Sequence, residues 1–197
     1  MNFLAHLFVS GCNNEVMTGN FLGDFCTSRQ IEKLPENMQK GIALHREIDA
    51  FTDASEEFIQ LVNLLRPTQG KYSPVVADII WDHYLAASGF YFEENELERF
   101  ARHCYRVLLS HKDFMPPKAL RFLNFAVEVN VFEAYATLNG VQKVFDGMSG
   151  RAAFDNNMPW AVDDIKSHYV QFEGLFQSFF PRLIHRCEEV RGKMILE

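Results

Sequence analysis

The sequence has few cysteines, and none of them forms a CxxC pair. The four are Cys12, Cys26, Cys104 and Cys187, and their spacing gives no support to a zinc ribbon or to thioredoxin-type redox chemistry. A chain of 197 residues can bury a core without disulfide bonds. We therefore expect reduced thiols and a cytoplasmic protein.

An excess of basic residues is also absent. Lys and Arg number 19 against 26 for Asp and Glu, and the net charge is −7. This sign makes nonspecific nucleic-acid binding a poor expectation. The apolar start has no basic residue before Arg29, which predicts no signal peptide. No apolar run approaches the roughly 18 residues that span a bilayer, so we expect no membrane association.

Several catalytic motifs are missing. There is no HExxH, which excludes zincins, and no Glu-x-x-His pair to support a ferritin-like di-iron site. The absence of GxxxxGK[ST] and of GxSxG leaves a P-loop and a nucleophile elbow without support. The absence of GxGxxG does the same for a dinucleotide-binding site. Helical periodicity runs through nearly the whole chain and predicts an all-α fold, a single compact helical domain over 1–197. The predicted helices lie at roughly 2–9, 14–27, 36–53, 55–65, 74–88, 95–111, 117–138, 140–149 and 159–190. Pro181 is expected to kink or restart the last of them.

The segment 75–87 combines an apolar surface with three ionisable residues, Asp78, Asp82 and His83. A helix that is apolar all round is usually buried. A buried carboxylate is costly unless it is paired, hydrogen-bonded or bound to a metal. The segment therefore indicates either a structural ion pair or helix cap, or part of a functional site.

A second segment, 41–53, places His45, Asp49 and Asp53 at i, i+4 and i+8, beside an apolar stripe. One imidazole and two carboxylates on one side of a helix have the spacing of ligands for a divalent metal that accepts nitrogen and oxygen donors. The alternative is an ordinary solvated face.

Two further ionisable residues stand alone in apolar surroundings. Asp24 is the one charged residue in 19–25, and His6 is the one ionisable side chain between Asn2 and Ser10. A lone histidine of this kind is more often a satisfied core residue than a ligand. All these His and Asp residues fall within the first 83 positions, which predicts one polar site built by the N-terminal helices. Such a site suits a cation such as Mn²⁺, Mg²⁺ or Fe²⁺ that activates water.

Five blocks stand in order within the first 90 residues: Asn2-Phe3-Leu4-Ala5-His6, Gly19-Asn20 with Asp24-Phe25, Gly41-Ile42 with His45-Arg46, Ile48-Asp49 with Thr52-Asp53, and Asp78 with Trp81-Asp82-His83. As a set they resemble the acyl-carrier-protein phosphodiesterase family, also called acyl carrier protein hydrolase. That family is similar to the HD phosphohydrolases, so the resemblance implies an HD-phosphohydrolase-like fold. The sequence departs from the HD signature, because Asp82-His83 reverses the His-Asp order.

The resemblance implies hydrolysis of the phosphodiester between 4′-phosphopantetheine and a serine of holo-acyl carrier protein. The products would be apo-acyl carrier protein and 4′-phosphopantetheine, and the implied cofactor is a divalent metal, typically Mn²⁺, with Mg²⁺ or Fe²⁺ as alternatives. Two other interpretations stay open. One is an HD-type phosphohydrolase acting on a nucleotide or a small phosphodiester, and the other is a non-catalytic helical binding module.

Under this resemblance each candidate residue receives a role. The expected metal ligands are Asp24, His45, Asp82 and His83. The expected catalytic residues are Asp49 as ligand or general base, Asp78 as an orienting group and Arg46 as a phosphate contact. Residues expected to support ligands or contact phosphate are His6, Asn20 and Asp53. For Arg46, a surface ion pair is the alternative.

A basic stretch, 98–121, offers a landing surface for an acidic carrier protein. It holds six basic and two acidic residues, a local charge of +4 in a chain of net −7. Arg99, Arg102 and Arg106 fall on one helical face, and such a face would steer an acidic partner. A solvated amphipathic helix is the alternative. The sequence does not determine the oligomeric state.

Overall fold

The helical prediction is confirmed. The computed structural model describes the backbone of residues 3–196 and the side chains of residues 3–194; Asn2, which belongs to the first sequence block, lies outside this range. About 79% of the chain is helical, and no strand occurs in the described range, so the fold is a single compact all-α domain. A bilayer-spanning helix would need a long apolar stretch, and none of the helices within residues 3–196 has one.

Eleven α-helices follow one another in the described part of the chain. They are α1 (Phe3–Phe8), α2 (Asn14–Leu22), α3 (Ser28–Ile31), α4 (Glu36–Asp53), α5 (Glu56–Gln69), α6 (Ser73–Ala87), α7 (Glu96–Ser110), α8 (Pro117–Glu128), α9 (Val131–Ala134), α10 (Leu138–Ser149) and α11 (Ala161–Leu196). Helix α6 forms the centre, and its Trp81 stacks on Phe179 of α11 with ring centroids 4.4 Å apart.

Two predicted helices are interrupted. The helix predicted over 14–27 ends at Leu22. The one predicted over 117–138 breaks after α8, because Asn130 adopts a left-handed backbone with φ 50° before α9 begins. Asparagine tolerates this conformation better than most residues, so the break has a local cause that hydrophobic periodicity does not register.

The expectation of a kink or restart at Pro181 is wrong, because the helix departs from helical geometry at another residue. Helix α11 continues through Pro181, and its one departure from helical geometry lies at His168, with φ −126° and ψ 20°. The residues around the proline, Phe179, Phe180 and Leu183, are fully buried. Their packing holds the helix together where one backbone hydrogen bond is lost.

Helices α2 and α4 touch backbone to backbone, and this contact sets the position of the candidate site. A Cβ on Gly19 would lie 2.0 Å from the carbonyl oxygen of Met38, and a Cβ on Gly41 would lie 2.2 Å from that of Val16. Only glycine fits at either position without forcing the helices apart. The contact brings Asn20 of α2 close to the polar face of α4.

Gly41→Ala should therefore lower the free energy of unfolding by about 3 kcal/mol, because the added methyl group overpacks the contact. Gly174→Ala is the matched control, since Gly174 lies in α11 with open space around its Cβ position. That substitution should raise the free energy of unfolding by about 0.5–1 kcal/mol through helix propensity. Urea denaturation measures both, and equal effects of the two substitutions would contradict the close contact.

Candidate metal centre

The candidate site is built around one carboxylate that lies between two histidines. The Nε2 atom of His6 lies 3.2 Å from Oδ1 of Asp49, and Nε2 of His45 lies 3.1 Å from Oδ2 of Asp49. The two imidazole rings stack with centroids 4.2 Å apart. One ligand atom from each of the three residues can be chosen so that all lie within 4.8 Å of one another. Two imidazole nitrogens and a carboxylate oxygen are a donor set that Mn²⁺, Fe²⁺ or Zn²⁺ accepts.

Asn20 fixes the protonation of His6. Its amide nitrogen donates to the backbone oxygen of His6 and to Oγ of Ser10, at 2.9 and 2.8 Å. The amide oxygen therefore faces Nδ1 of His6 at 2.8 Å and must accept a hydrogen bond from an Nδ1–H group. Burial lowers the pKa of His6, which favours the neutral ring. The Nε2 lone pair then points at the Asp49 carboxylate, an arrangement that a cation between them would satisfy.

Asp24 extends the group toward solvent. Its Oδ1 lies 3.3 Å from Nε2 of His45, and its side chain is 57% exposed. Two carboxylates thus converge on one imidazole nitrogen that has at most one proton to donate. A hydrogen bond from His45 holds the pKa of Asp24 below its usual range, despite burial. This convergence again fits a cation.

The charge of His45, the histidine of α4, depends on the two carboxylates beside it. Burial disfavours its cation, yet hydrogen bonds to Asp24 and Asp49 raise the pKa of His45 to about 9. Burial likewise opposes ionisation of Asp49, but the interactions of its carboxylate with His45 and His6 together outweigh burial and hold the pKa of Asp49 well below its usual range. Without a metal, a proton on His45 therefore offsets the carboxylate charges.

Gly23 packs directly against the ring of His45. A Cβ at this position would lie 2.2 Å from Cγ and 2.7 Å from Nδ1 of that ring. The Nδ1 atom is buried and has no hydrogen-bond partner among the described residues. The orientation of His45 thus depends on the space that a glycine leaves and on the contacts of Nε2. Sequence reasoning missed this role of Gly23, and a single sequence carries no signal for it.

Gly23→Ala should lower kcat/KM for the reaction proposed below by about tenfold, because a displaced ring no longer aims Nε2 at the group. The melting temperature should fall as well, because the methyl group would meet Cγ of a buried ring, so activity is measured well below that temperature. Gly89→Ala, with open space at its Cβ position, serves as the control. Full activity of Gly23→Ala would show that the ring orientation is not needed.

The structure places Asp82 and His83 away from this group, although both were expected to be metal ligands. Asp82 is fully buried, and its two carboxylate oxygens accept the backbone N–H groups of Leu4 and Ala5 at 2.9 and 3.1 Å. It therefore caps the start of α1 and positions His6 one turn along. Burial raises the pKa of Asp82 to about 7.

His83 is turned about 100° from Asp82 around α6 and contacts other residues. Its Nδ1 lies 2.7 Å from the carbonyl oxygen of Tyr135, and its Nε2 lies 3.2 Å from the hydroxyl of Tyr169. Both ring nitrogens are engaged, so the geometry favours a packing role. Burial lowers the pKa of His83.

Three other predicted residues lie near the group without joining it. Asp78 is half-buried, and burial raises the pKa of its carboxyl group. The negative charges of Asp49 and Asp53 raise this pKa further. Asp53 is exposed at the end of α4. Arg46 is exposed as well and, as the neighbour of His45, is turned about 100° from it around the helix. Their roles toward phosphate stay predictions.

The basic face of α7 is exposed, as expected. Arg102 forms an ion pair with Glu98, and Arg99 lies 3.8 Å from Glu96. Arg106 lies 3.0 Å from Nδ1 of His103. Two of the three guanidinium groups thus already have carboxylate partners on their own helix, which reduces the charge available to a partner protein. The docking role of this face stays a prediction.

Comparisons with known proteins bear on this arrangement. The sequence matches the family described as acyl carrier protein phosphodiesterase over residues 1–183. It is 28% identical over 185 residues to an acyl carrier protein phosphodiesterase of Enterobacter sp. (strain 638), covering 93% of this chain and 96% of the relative. The corresponding protein of Photorhabdus laumondii is 29% identical over 189 residues, covering 95% and 96%. No solved structure gives a significant match.

Proposed function

Because the chain belongs to the acyl carrier protein phosphodiesterase family, we propose that it hydrolyses the phosphodiester that joins 4′-phosphopantetheine to a serine of holo-acyl carrier protein. The products are apo-acyl carrier protein and 4′-phosphopantetheine. The observation that carries the proposal is the convergence of His6, His45 and Asp49 on one point, with Asp24 at its open side. A polar group of this kind, on α1, on α4 and in the turn after α2, is what a metal-dependent phosphodiesterase requires.

We propose that His6, His45 and Asp49 hold the divalent cation, Mn²⁺ in the first instance. This set keeps one of the four expected ligands, His45, and replaces Asp82 and His83, whose polar atoms are engaged elsewhere. When bound, the cation would lower the pKa of a water molecule and offset the negative charge of the phosphoryl group. Asn20 holds the His6 ring and its tautomer, so that Nε2 faces the cation.

The remaining task of the residues is to move protons. Hydrolysis adds a water oxygen to phosphorus and breaks the bond between phosphorus and the serine oxygen. One proton must leave the water, and one must reach the serine oxygen. Asp24 is the exposed carboxylate of the group, and we assign both transfers to it: it takes the proton from the water and, once protonated, gives it to the serine oxygen as the bond to phosphorus breaks.

The test is incubation of the purified protein with holo-acyl carrier protein and Mn²⁺, followed by intact-protein mass spectrometry. The proposal predicts a mass loss equal to phosphopantetheine. No loss with Mn²⁺, Mg²⁺ or Fe²⁺ would overturn it. Turnover of nucleotides or generic phosphodiesters alone would favour the small-molecule phosphohydrolase. A chain that neither binds these metals nor turns over any of these substrates would favour the binding module.

A further inference from the structure

Next to the candidate metal centre lies an apolar cavity of about 330 Å³. Its lining is formed by Phe3, Tyr72, Val75, Phe122, Phe125, Val131, Tyr135, Val144, Met148, Arg151, Ala152 and Met158. Arg151 is the single charged residue among these described lining residues. The volume is at the lower end of the range for sites that take small ligands, roughly 300–1,000 Å³. None of the sequence motifs accounts for this cavity.

Three connections place the cavity beside the metal centre. On α1, Phe3 lines the cavity and His6 follows one turn later. On α6, Val75 lines the cavity and Asp78 follows one turn later. Residues three apart on a helix share a face, so both helices lead from the cavity to the polar group.

The third connection is aromatic. The ring of Phe25, the neighbour of Asp24, stacks on the ring of Phe3 with centroids 5.7 Å apart. The ring of Phe122 lies 4.5 Å from that of Phe3. The sequence neighbour of Asp24 therefore belongs to one aromatic cluster with two residues of the cavity lining, Phe3 and Phe122.

The lining restricts what the cavity can hold. Apolar walls favour an uncharged, largely aliphatic group and disfavour a phosphate or a nucleotide's phosphates. The guanidinium of Arg151 lies over the ring of Phe125, 4.9 Å from its centroid, and supplies N–H donors at the rim. A suitable occupant is thus an aliphatic chain with carbonyl acceptors, attached to the phosphoryl group that is being cleaved.

We propose that this cavity receives the pantetheine arm of the substrate. This inference rests on the proposed function, because the arm is the part of holo-acyl carrier protein that is bonded directly to the scissile phosphate. Its dimethyl-substituted carbon next to the phosphate matches the walls formed by Phe3 and Val75, and its amide carbonyls match the donors of Arg151. The cavity thereby selects a phosphodiester that carries such an arm over one that does not.

Two lysines lie over aromatic rings in or beside the cavity lining. The Nζ atom of Lys71 lies 5.3 Å from the ring centroid of Tyr72, which lines the cavity. The Nζ atom of Lys118 lies 6.0 Å from the ring centroid of Phe25. Together with Arg151 they place three cations at or near the cavity lining, which suits an acidic protein whose arm enters the cavity.

The experiment fills the cavity and compares substrates with and without the arm. Val75→Trp and Ala152→Leu each add bulk to the lining from a different element, so the test survives if one variant fails to fold. Val170→Trp is the control, since Val170 is 81% exposed on α11 and does not line the cavity. Rates are measured with Mn²⁺ on holo-acyl carrier protein and on bis(p-nitrophenyl) phosphate, which has no arm.

The proposal predicts that, in both cavity variants, kcat/KM for the holo-protein falls at least tenfold more than kcat/KM for the small diester. In Val170→Trp, kcat/KM should fall for neither substrate. Equal losses on the two substrates, or none, would overturn it. A loss of rate only on carrier protein whose arm carries an acyl chain, with the rate on the holo-protein unaffected, would also overturn it. That result would assign the cavity to the acyl chain.

A second readout separates this inference from the proposed function. If the wild-type chain does not cleave holo-acyl carrier protein, the proposed function fails. Binding of free pantetheine then tests separately whether the cavity takes the arm. Pantetheine should shift the NMR signals of Val75 and Ala152 in the wild-type protein, and the shift of Ala152 should be lost in Val75→Trp. No shifts in the wild-type protein would overturn the assignment.

Discussion

Asp49→Ala should lower kcat/KM for holo-acyl carrier protein by about 10³-fold, within the range that removal of a positioned acid, base or ligand produces. The carboxylate of Asp49 contacts Nε2 of both His6 and His45. Its loss removes one ligand and the group that aligns the other two. Mass spectrometry of the carrier protein at a series of times measures the effect.

Asp53→Ala is the matched control, since Asp53 belongs to the same helix and lies one turn further on. It is exposed and makes no ion pair with either imidazole in the described structure. Its activity should fall far less than that of Asp49→Ala, because Asp53 lies beside the group and contacts neither imidazole. Equal losses in Asp49→Ala and Asp53→Ala would mean that the whole acidic stripe of α4 acts together, and would contradict the site.

The affinity for Mn²⁺ should rise about tenfold for each pH unit between about pH 6.5 and 8.5, because metal and proton compete for Nε2 of His45. The pKa of His45 is raised to about 9 in the metal-free protein, so the ring carries a proton throughout this interval and must release it on binding. His6 contributes no second proton, because burial lowers its pKa. Asp49 is already ionised, since its pKa is held well below the usual range.

Isothermal titration calorimetry in buffers of different ionisation enthalpy measures both the affinity and the protons released. The expected release is about one proton per ion, and the slope should flatten above about pH 9. His83→Gln should keep the slope and the affinity, because His83 bonds to Tyr135 and Tyr169 instead. A pH-independent affinity, or loss of binding in His83→Gln, would contradict the ligand set.

The residues of α4 were predictable from the sequence because they belong to one helix. The i, i+4 spacing alone places His45 and Asp49 on one face, and the structure confirms that they meet at 3.1 Å. The helix bounds of 36–53 follow from the same periodicity and agree with α4. Local geometry decides both results, so a single sequence suffices for them.

The residues that depend on packing between helices were harder to predict. The same local spacing makes Asp82 look like a ligand, but its carboxylate meets α1, which is 77 residues away in sequence, and caps it. Conversely, the sequence indicates that His6 stands alone, and only the docking of α1 onto α6 and α2 brings it to Asp49. Whether a buried carboxylate caps a helix or binds a metal depends on which helix packs against it, and hydrophobic periodicity does not contain that information.

The most direct test of the central claim is a crystal structure of the protein grown with Mn²⁺, with anomalous diffraction recorded at the manganese absorption edge. The account predicts one strong anomalous peak within coordination distance of His6 Nε2, His45 Nε2 and a carboxylate oxygen of Asp49. A peak bound by Asp82 and His83, or no peak near α4 in a crystal of active protein, would contradict it.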